Sequence, residues 1–282
     1  MRVQVGDGRL FFDVEGAGLV PDGSRMRERP TLLLLHGGPG ADHSVLKPDY
    51  SPLAEVAQVI YLDHRSAGRS DRTGPDRWTL DRWGDDVYAF CQTLEIQRPI
   101  VMGISFGGMV AMAYATRHPE HPSKLILCST AARVDLGRVF AAFERRGGRA
   151  AAEAAARFFK DPSAKNGRDY ARQCIPLYNY RPDPHLAEMF ARIVPNDALT
   201  GHYLRVIEPS FNLLPDLHRV KCPTLVMVGE EDPVTPPADS EDIAAAIPGE
   251  LVRLERFANA SHGIVTDDRA RFIQTLREFV AS

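Results

Sequence analysis

The sequence predicts an α/β protein: a mostly parallel central sheet with helices on both faces and an inserted helical lid. The first observation is that short apolar runs alternate with segments of helical periodicity, which is typical of β-α-β units. The second is that this alternation stops between residues 131 and 215, where helical segments and proline-rich stretches occur without a convincing buried strand. We therefore expect residues 1–130 and 216–282 to form one core, and residues 131–215 to form the lid.

The predicted strands begin with an antiparallel hairpin, because the alternating runs Arg2–Val5 and Arg9–Val14 flank a Gly-Asp-Gly turn. The segment Pro21–Pro30 is rich in proline, glycine and charge, and we expect it to be a loop. Six further runs predict strands of the parallel sheet: Thr31–Leu35, Gln58–Leu62, Pro99–Met102, Lys124–Cys128, Thr224–Val228 and Glu250–Leu254.

Helices are predicted wherever apolar residues recur every three or four positions. In the core these segments are Trp83–Leu94, Phe106–Arg117 and Ala270–Val280. In the lid they are Val139–Ala142, Ala150–Phe159 and His185–Ile193.

Charge and composition exclude several classes of partner. The 282-residue chain carries 34 basic and 37 acidic residues, a net charge of −3, with no run of five like charges. A surface for nucleic acid normally requires clustered positive charge, so we expect no nucleic-acid partner. The N-terminus lacks the apolar core of a secretory signal, and no apolar stretch reaches the ~18 residues of a membrane span. The four scattered cysteines favour reduced thiols. We expect a cytoplasmic protein without a membrane partner, of undetermined oligomeric state.

The segment Gly103–Gly107 is the only G-x-S-x-G sequence in the chain. It follows a predicted strand and opens a predicted helix, which is the context of a serine nucleophile on a sharp strand-to-helix turn. Flanking glycines are needed there because a Cβ atom would collide with neighbouring backbone. We therefore predict Ser105 as a nucleophile; the alternative is a plain glycine-rich connection.

A serine hydroxyl is a weak nucleophile and needs a base together with a group that orients the base. Asp232 follows the predicted strand at 224–228, and His262 follows the last predicted strand. Because the carboxyl ends of parallel strands lie at one edge of a sheet, these side chains are expected to meet Ser105 there. Glu230 and Glu231 adjoin Asp232 and remain alternatives for the acid.

A second glycine-rich loop, His36–Gly40, follows the strand at 31–35. Backbone N–H groups in such a loop and after the nucleophile stabilise an oxyanion. Pro39 has no N–H group, so we predict Gly38 and Phe106 as the two donors. The alternative is a tight turn without a catalytic role. We expect His36 itself to be structural.

Together these motifs resemble the α/β-hydrolase family, and the resemblance extends from about Leu32 to the C-terminus except for the lid. His36–Gly40 and the loop Asp63–Ser70 are similar, more narrowly, to the branch that contains prolyl iminopeptidases. That branch also contains esterases, lactonases and amidases. The resemblance implies a serine triad that works without metal or cofactor. It also implies acidic lid residues in those members that remove an N-terminal proline.

The chain departs from the iminopeptidase pattern in its lid, where Thr200-Gly201-His202-Tyr203 replaces a Glu-Asn-His-Tyr sequence. Glu188, Glu208 and Glu231 are the carboxylates that could substitute for the missing acid. We therefore predict a serine hydrolase of a small carboxylic ester, lactone or amide, with an iminopeptidase as the first alternative. A non-catalytic receptor on the same fold is the alternative of another class. No metal or cofactor is expected, and the substrate-binding residues of the lid are left unassigned.

Overall fold

A computed structural model describes residues 1–282, and a single large sheet runs through its centre. The strands are β1 (Arg2–Val5), β2 (Gly8–Glu15), β3 (Leu19–Asp22), β4 (Arg25–Glu28), β5 (Thr31–Leu35), β6 (Gln58–Leu62), β7 (Ile100–Ile104), β8 (Lys124–Cys128), β9 (Thr224–Gly229) and β10 (Val252–Phe257). Eight of them form the sheet in the order β1-β2-β6-β5-β7-β8-β9-β10, and β3 pairs only with β4. The six neighbouring strands from β6 to β10 in this order are parallel, whereas β1 and β2 join the edge at β6 in antiparallel fashion. The predicted fold class is confirmed.

Nine α-helices accompany the strands, and four of them, α3 to α6, lie between β8 and β9, where the chain has no strand. None of the helices is long and apolar enough to cross a bilayer. The helices are α1 (Leu80–Thr93), α2 (Phe106–Arg117), α3 (Leu136–Lys160), α4 (Ala164–Gln173), α5 (Leu186–Ala191), α6 (Asp197–His202), α7 (Pro237–Ala246), α8 (Ile264–Asp267) and α9 (Arg269–Ala281).

The central strands are apolar on both faces because helices cover both faces of the sheet. Leu33 and Leu35 of β5 pack into the cluster formed with α1, α2 and α7, and Leu32 and Leu34 pack into the opposite cluster with α9. The alternation of neighbouring residues between two cores explains why β5 is a run of leucines rather than an amphipathic strand.

The predicted loop at Pro21–Pro30 is wrong, because β3 and β4 form an antiparallel hairpin there. Its strands are mostly exposed, so the sequence has no alternation of apolar and polar residues to signal them. The glycine in the turn was the one sequence feature that could have indicated the hairpin. Gly23 follows Asp22 and has a φ of 62°, the positive φ that tight hairpin turns require.

The lid is more helical than predicted. The two segments predicted at 139–142 and 150–159 belong to α3, which is broken at Gly148, where φ is 73° and ψ is −176°. Helix α4 was not predicted, because its sequence is almost entirely polar and buries only Tyr170. Tyr170 packs with Phe143 and Val139 of α3 in a small core whose fully buried members all lie between residues 131 and 215.

A buried ion pair joins the N-terminal hairpin, the loop after β6 and helix α1. The Arg65 side chain is 1% exposed, and its Nε and Nη2 atoms donate to the two carboxylate oxygens of Asp86 at 2.6 and 2.7 Å. A further nitrogen donates to Asp7 at 3.0 Å, and the Arg65 carbonyl accepts from the Trp83 indole at 3.2 Å. Burial raises the pKa of the Asp86 carboxyl despite this guanidinium and that of Arg82, whose Nε lies 3.3 Å from Asp86 Oδ1.

We expect Arg65→Met to lower the free energy of unfolding by more than ~2 kcal/mol, because it removes two hydrogen bonds from a buried carboxylate and leaves only the partly exposed Arg82 as its counter-charge. The double variant Arg65→Met/Asp86→Leu should recover most of that loss. Urea denaturation of the three proteins measures this. Arg9→Met, which breaks the exposed pair with Asp71, is the matched control and should cost less than ~1 kcal/mol. A double variant no more stable than Arg65→Met would contradict the expectation.

Candidate active site

Ser105 occupies a sharp turn between β7 and α2. Its φ of 54° and ψ of −122° lie outside the regions common for residues with a side chain. The turn is held from the neighbouring strand: the Ser105 N–H donates to the Cys128 carbonyl at 2.9 Å, and its carbonyl accepts from the Thr130 hydroxyl at 2.7 Å. The strain is therefore localised at one residue whose backbone is hydrogen-bonded on both sides.

The glycines on either side of Ser105 allow helix and sheet to approach closely. A Cβ atom on Gly103 would lie 2.2 Å from the Gly107 carbonyl oxygen. One on Gly107 would lie 2.1 Å from the carbonyl oxygen of Leu35 in β5. Both distances are far below van der Waals contact with backbone atoms that cannot move aside. The prediction that side chains at these positions would collide with backbone is confirmed.

Asp232 and His262 are brought together after β9 and β10. The His262 Nδ1 atom lies 2.8 Å from Asp232 Oδ2, and the Asp232 side chain is fully buried. Asp232 Oδ1 accepts from the N–H groups of Val234 and Thr235 at 2.8 and 3.0 Å, and Oδ2 also accepts from the Thr235 hydroxyl at 2.9 Å. Because a carboxylate only accepts, Nδ1 of the imidazole carries the proton, which leaves Nε2 as the basic nitrogen of the neutral ring.

The other two carboxylates of this loop point to different partners. Glu230 pairs with Arg256, which holds the pKa of Glu230 below its ordinary value. Glu231 lies 3.8 Å from Arg146 and is partly exposed. Neither makes a hydrogen bond with His262; of the three carboxylates, Asp232 does.

The loop after β5 lies directly against the serine turn. A Cβ atom on Gly37 would be 3.3 Å from Ser105 Cβ and 3.9 Å from its Oγ. Gly38 adopts a φ of 137°, and Phe106 is the first residue of α2, where N–H groups lack a partner within the helix. Gly38 and Phe106 line the same cavity as Ser105 and His262.

This cavity has a volume of about 510 Å³ and lies between the sheet edge and the lid. Its walls are mostly apolar and include no lysine or arginine. Six aromatic residues of the lid contribute to the lining: Phe158, Phe159, Tyr170, Tyr178, Phe190 and Tyr203. Residues between 131 and 215 therefore form much of the wall of the cavity that Ser105 also lines.

The carboxylates that the sequence offered for an amino group do not line this cavity. Glu188 is exposed at the surface beside His185, and Glu208 is buried without a side-chain hydrogen bond, so burial raises its pKa to about 7. Two aspartates that sequence reasoning missed do line it. Asp49 is paired with Arg269, whereas Asp183 has no cation within ion-pair distance. Proline-rich irregular chain surrounds Asp183, and no local motif marks it.

A second missed feature is a buried group of potential metal ligands, Asp42, His43 and Asp63, whose ligand atoms lie within 4.8 Å of one another. Every carboxylate oxygen in the group already accepts from protein donors. Asp63 Oδ1 receives the His43 N–H and Nδ1, at 2.9 and 2.7 Å, and Asp63 Oδ2 receives the Arg69 N–H at 2.8 Å. Asp63 thus joins His43 to the loop after β6, and it makes no hydrogen bond with His262.

His36 is fully buried and packs against His64 at a ring-centroid distance of 4.4 Å. Burial lowers the pKa of both imidazoles, so both are neutral at pH 7. The His64 ring in turn packs against the Phe106 ring at a ring-centroid distance of 5.5 Å. The pair lies beneath the glycine-rich loop and α2, which agrees with a structural role for His36.

Comparison with known proteins gives a consistent picture. Residues 30–268 match the family described as the alpha/beta hydrolase fold. The chain is 28% identical over 280 residues to proline iminopeptidase PfmaB of Pestalotiopsis fici, covering 95% of this chain and 97% of that protein. It is 28% identical over 236 residues to a putative carbamate hydrolase RutD of a Caulobacter strain, covering 76% of this chain and 82% of the relative.

Solved structures show the same fold. A thermophilic esterase from Thermogutta terrifontis superposes with a TM-score of 0.73 at 26% identity, covering 100% of this chain and 98% of the esterase. The enol-lactonase from Burkholderia xenovorans superposes with a TM-score of 0.72 at 25% identity, covering 100% of both chains. These relatives are hydrolases, so an enzyme of the hydrolase type is supported over a non-catalytic receptor.

We expect Gly107→Ala to lower the free energy of unfolding by more than ~2 kcal/mol, because the added methyl group meets the Leu35 carbonyl and must displace α2 or β5. Gly249→Ala is the matched control, since nothing lies within 4 Å of a Cβ atom there. The control should stay within ~0.5 kcal/mol of the native protein. Equal stability of the two variants in chemical denaturation would refute the close approach.

Proposed function

The chain belongs to the α/β-hydrolase family, and on that premise we propose that it is a serine hydrolase of small carboxylic esters, lactones or amides. Residues 131–215 act as its lid. The observation that carries the proposal is the 2.8 Å contact between His262 and the buried Asp232 in the wall of the cavity that Ser105 faces. A base whose Nδ1 is held by a buried carboxylate is the partner that a serine nucleophile requires.

In the proposed mechanism, His262 Nε2 takes the proton of Ser105 as Oγ attacks the substrate carbonyl carbon. Asp232 keeps the imidazole in the required tautomer and stabilises the imidazolium. The N–H groups of Gly38 and Phe106 stabilise the oxyanion of the tetrahedral intermediate. His262 then donates its proton to the leaving alcohol or amine, and an acyl-enzyme remains on Ser105. Water, activated by the same histidine, hydrolyses this ester and regenerates the free serine.

The cavity favours an uncharged, apolar acyl group. Its volume of about 510 Å³ is that of a site for a small molecule, and its aromatic lining offers apolar contact. An anionic substituent would lose its hydration there without gaining a counter-charge, because the lining has no lysine or arginine. We therefore rank neutral esters and lactones first.

Removal of an N-terminal proline is the second candidate, and two observations favour it. The relative named proline iminopeptidase PfmaB matches 95% of this chain. Asp183 supplies a cavity carboxylate without a paired cation. Against this candidate, Glu188, Glu208 and Glu231 lie outside the cavity lining, and Asp183 is only half buried.

Ser105→Ala and His262→Ala should each lower kcat by at least ~10⁴-fold on an ester substrate, because either change removes the nucleophile–base pair. The double variant should be little worse than either single variant, since the two residues act as a unit. Steady-state kinetics and labelling by a fluorophosphonate probe measure this. A folded native protein that the probe leaves unlabelled would overturn the proposed mechanism.

The acid is tested by Asp232→Asn against Glu231→Gln. Asp232→Asn should lose most activity, because an amide donates to Nδ1 or leaves the wrong tautomer, whereas Glu231→Gln should retain near-native activity. The reverse pattern would transfer the role to Glu231.

Substrate class is tested by kcat/KM for p-nitrophenyl butyrate, the p-nitrophenyl monoester of succinate, proline p-nitroanilide and N-acetylproline p-nitroanilide. The neutral butyrate should be cleaved at least ~10²-fold faster than the anionic succinate ester, since an unpaired charge in the cavity costs several kcal/mol. The kcat/KM for the butyrate ester should also exceed that for proline p-nitroanilide. Strong activity on the proline anilide, abolished by N-acetylation, would establish the second candidate and direct attention to Asp183.

A further inference from the structure

The lid is hydrogen-bonded to the loop that carries the proposed oxyanion donor Gly38. The Thr200 hydroxyl donates to the Pro39 carbonyl at 2.8 Å, and the Asn196 N–H donates to the Gly40 carbonyl at 2.9 Å. Thr200 lies in α6, and Asn196 is the residue that caps the same helix, so one rigid element holds two consecutive carbonyls of the loop.

We propose that Thr200 is a positioning residue, whose hydroxyl holds the loop His36–Gly40 in the conformation that presents the Gly38 N–H to the oxyanion. This inference rests on the proposed function. It assigns part of the active-site geometry to the lid, which the sequence predicted only as a cover for the substrate.

The helix that carries Thr200 is itself fixed to the core. The Asn196 side-chain amide donates to the Ser66 carbonyl at 2.8 Å, while its oxygen accepts from the Leu199 N–H at 3.2 Å at the start of α6. Two residues earlier, the Val194 N–H donates to Asp42 at 2.7 Å, and Asp42 is fully buried. Thr200 is therefore held in place by contacts that do not involve the loop it bonds.

The contact between α6 and the loop leaves no spare room. Gly40 has a φ of 90°, and a Cβ atom there would lie 2.3 Å from Thr200 Oγ1 and 2.7 Å from the Asn196 carbonyl oxygen. The loop therefore passes directly under the helix, and a glycine is required where the two meet.

The loop needs such an external constraint because three of its five residues are glycines, which have more backbone conformations to lose than any other residue. An oxyanion donor is effective only when its N–H is already directed at the position of the developing charge. Releasing the Pro39 carbonyl should therefore lower the rate of the chemical step more than it weakens substrate binding.

Thr200 also lines the cavity, so a direct contact with substrate is the competing explanation. The two roles predict different kinetics. Loss of a substrate contact raises KM, whereas loss of oxyanion geometry lowers kcat and the affinity for a tetrahedral analogue together.

The test compares Thr200→Val, which keeps the shape and removes the hydroxyl, with Thr200→Ser, which keeps the hydroxyl. Thr200→Val should lower kcat on p-nitrophenyl butyrate about 10-fold, leave KM within about twofold, and weaken inhibition by phenylboronic acid about 10-fold. Thr200→Ser should stay within about twofold of the native protein in all three measurements. If Thr200→Val does not fold, Thr200→Ala removes the same donor and replaces it in the comparison.

Amide hydrogen exchange of the peptide that covers residues 36–46 gives a readout independent of activity. Exchange there should be faster in Thr200→Val than in the native protein and unchanged in Thr200→Ser. Unchanged exchange in Thr200→Val, a native kcat in that variant, or an equal loss in the serine variant would each overturn the inference. A native protein that neither cleaves esters nor reacts with a fluorophosphonate would instead overturn the proposed function, while the exchange measurement still decides whether Thr200 holds the loop.

Discussion

The close approach of α2 to the sheet is the constraint on which the site depends. Gly103 and Gly107 allow helix backbone and strand backbone to lie nearer than any side chain permits, and Ser105 is left at the apex with a left-handed φ. The carbonyl that a side chain on Gly107 would strike is that of Leu35, the last residue of β5. The same contact therefore sets the distance between the serine turn and the glycine-rich loop that follows β5. A site assembled this way has its geometry determined by backbone packing.

The proposed lid contacts the loops of the proposed site at two places. Its residues 177–179 contact the histidine loop: the Gly263 N–H donates to the Tyr178 carbonyl at 2.8 Å, and the Tyr178 ring lies 5.1 Å from the His262 ring. Its α6 contacts the glycine-rich loop through Thr200. Each of the two loops thus lies between a core strand and a lid segment, so the lid influences the position of His262 as well as the shape of the cavity.

The sequence predicts those parts of the molecule whose burial is decided locally. Strand β5 was predicted with its observed bounds, because a run of leucines has to be buried on both faces. The edge strand β10 is predicted at 250–254 but observed at Val252–Phe257, because its partly exposed residues show little apolar pattern from which to place its ends. The sequence could place Ser105, Asp232 and His262 at one edge of the sheet because each follows a parallel strand, and the carboxyl ends of parallel strands lie at the same edge. The cavity-lining residues of the lid could not be predicted in this way. Asp183 and Thr200 line the cavity because of tertiary packing, and no pattern in the neighbouring sequence marks either residue.

Two buried carboxylates show why Asp232, and not any buried acid, suits the role proposed for it. Asp232 is fully buried but accepts two backbone N–H groups and the Thr235 hydroxyl from its own turn, in addition to His262. Glu208 is also buried but has no such donors, and burial raises its pKa to about 7. A carboxyl of that kind is partly protonated at neutral pH and would be a poor partner for an imidazolium. The donors of Asp232 come from the residues immediately after it, so its carboxylate is held in place by its own turn as well as by His262.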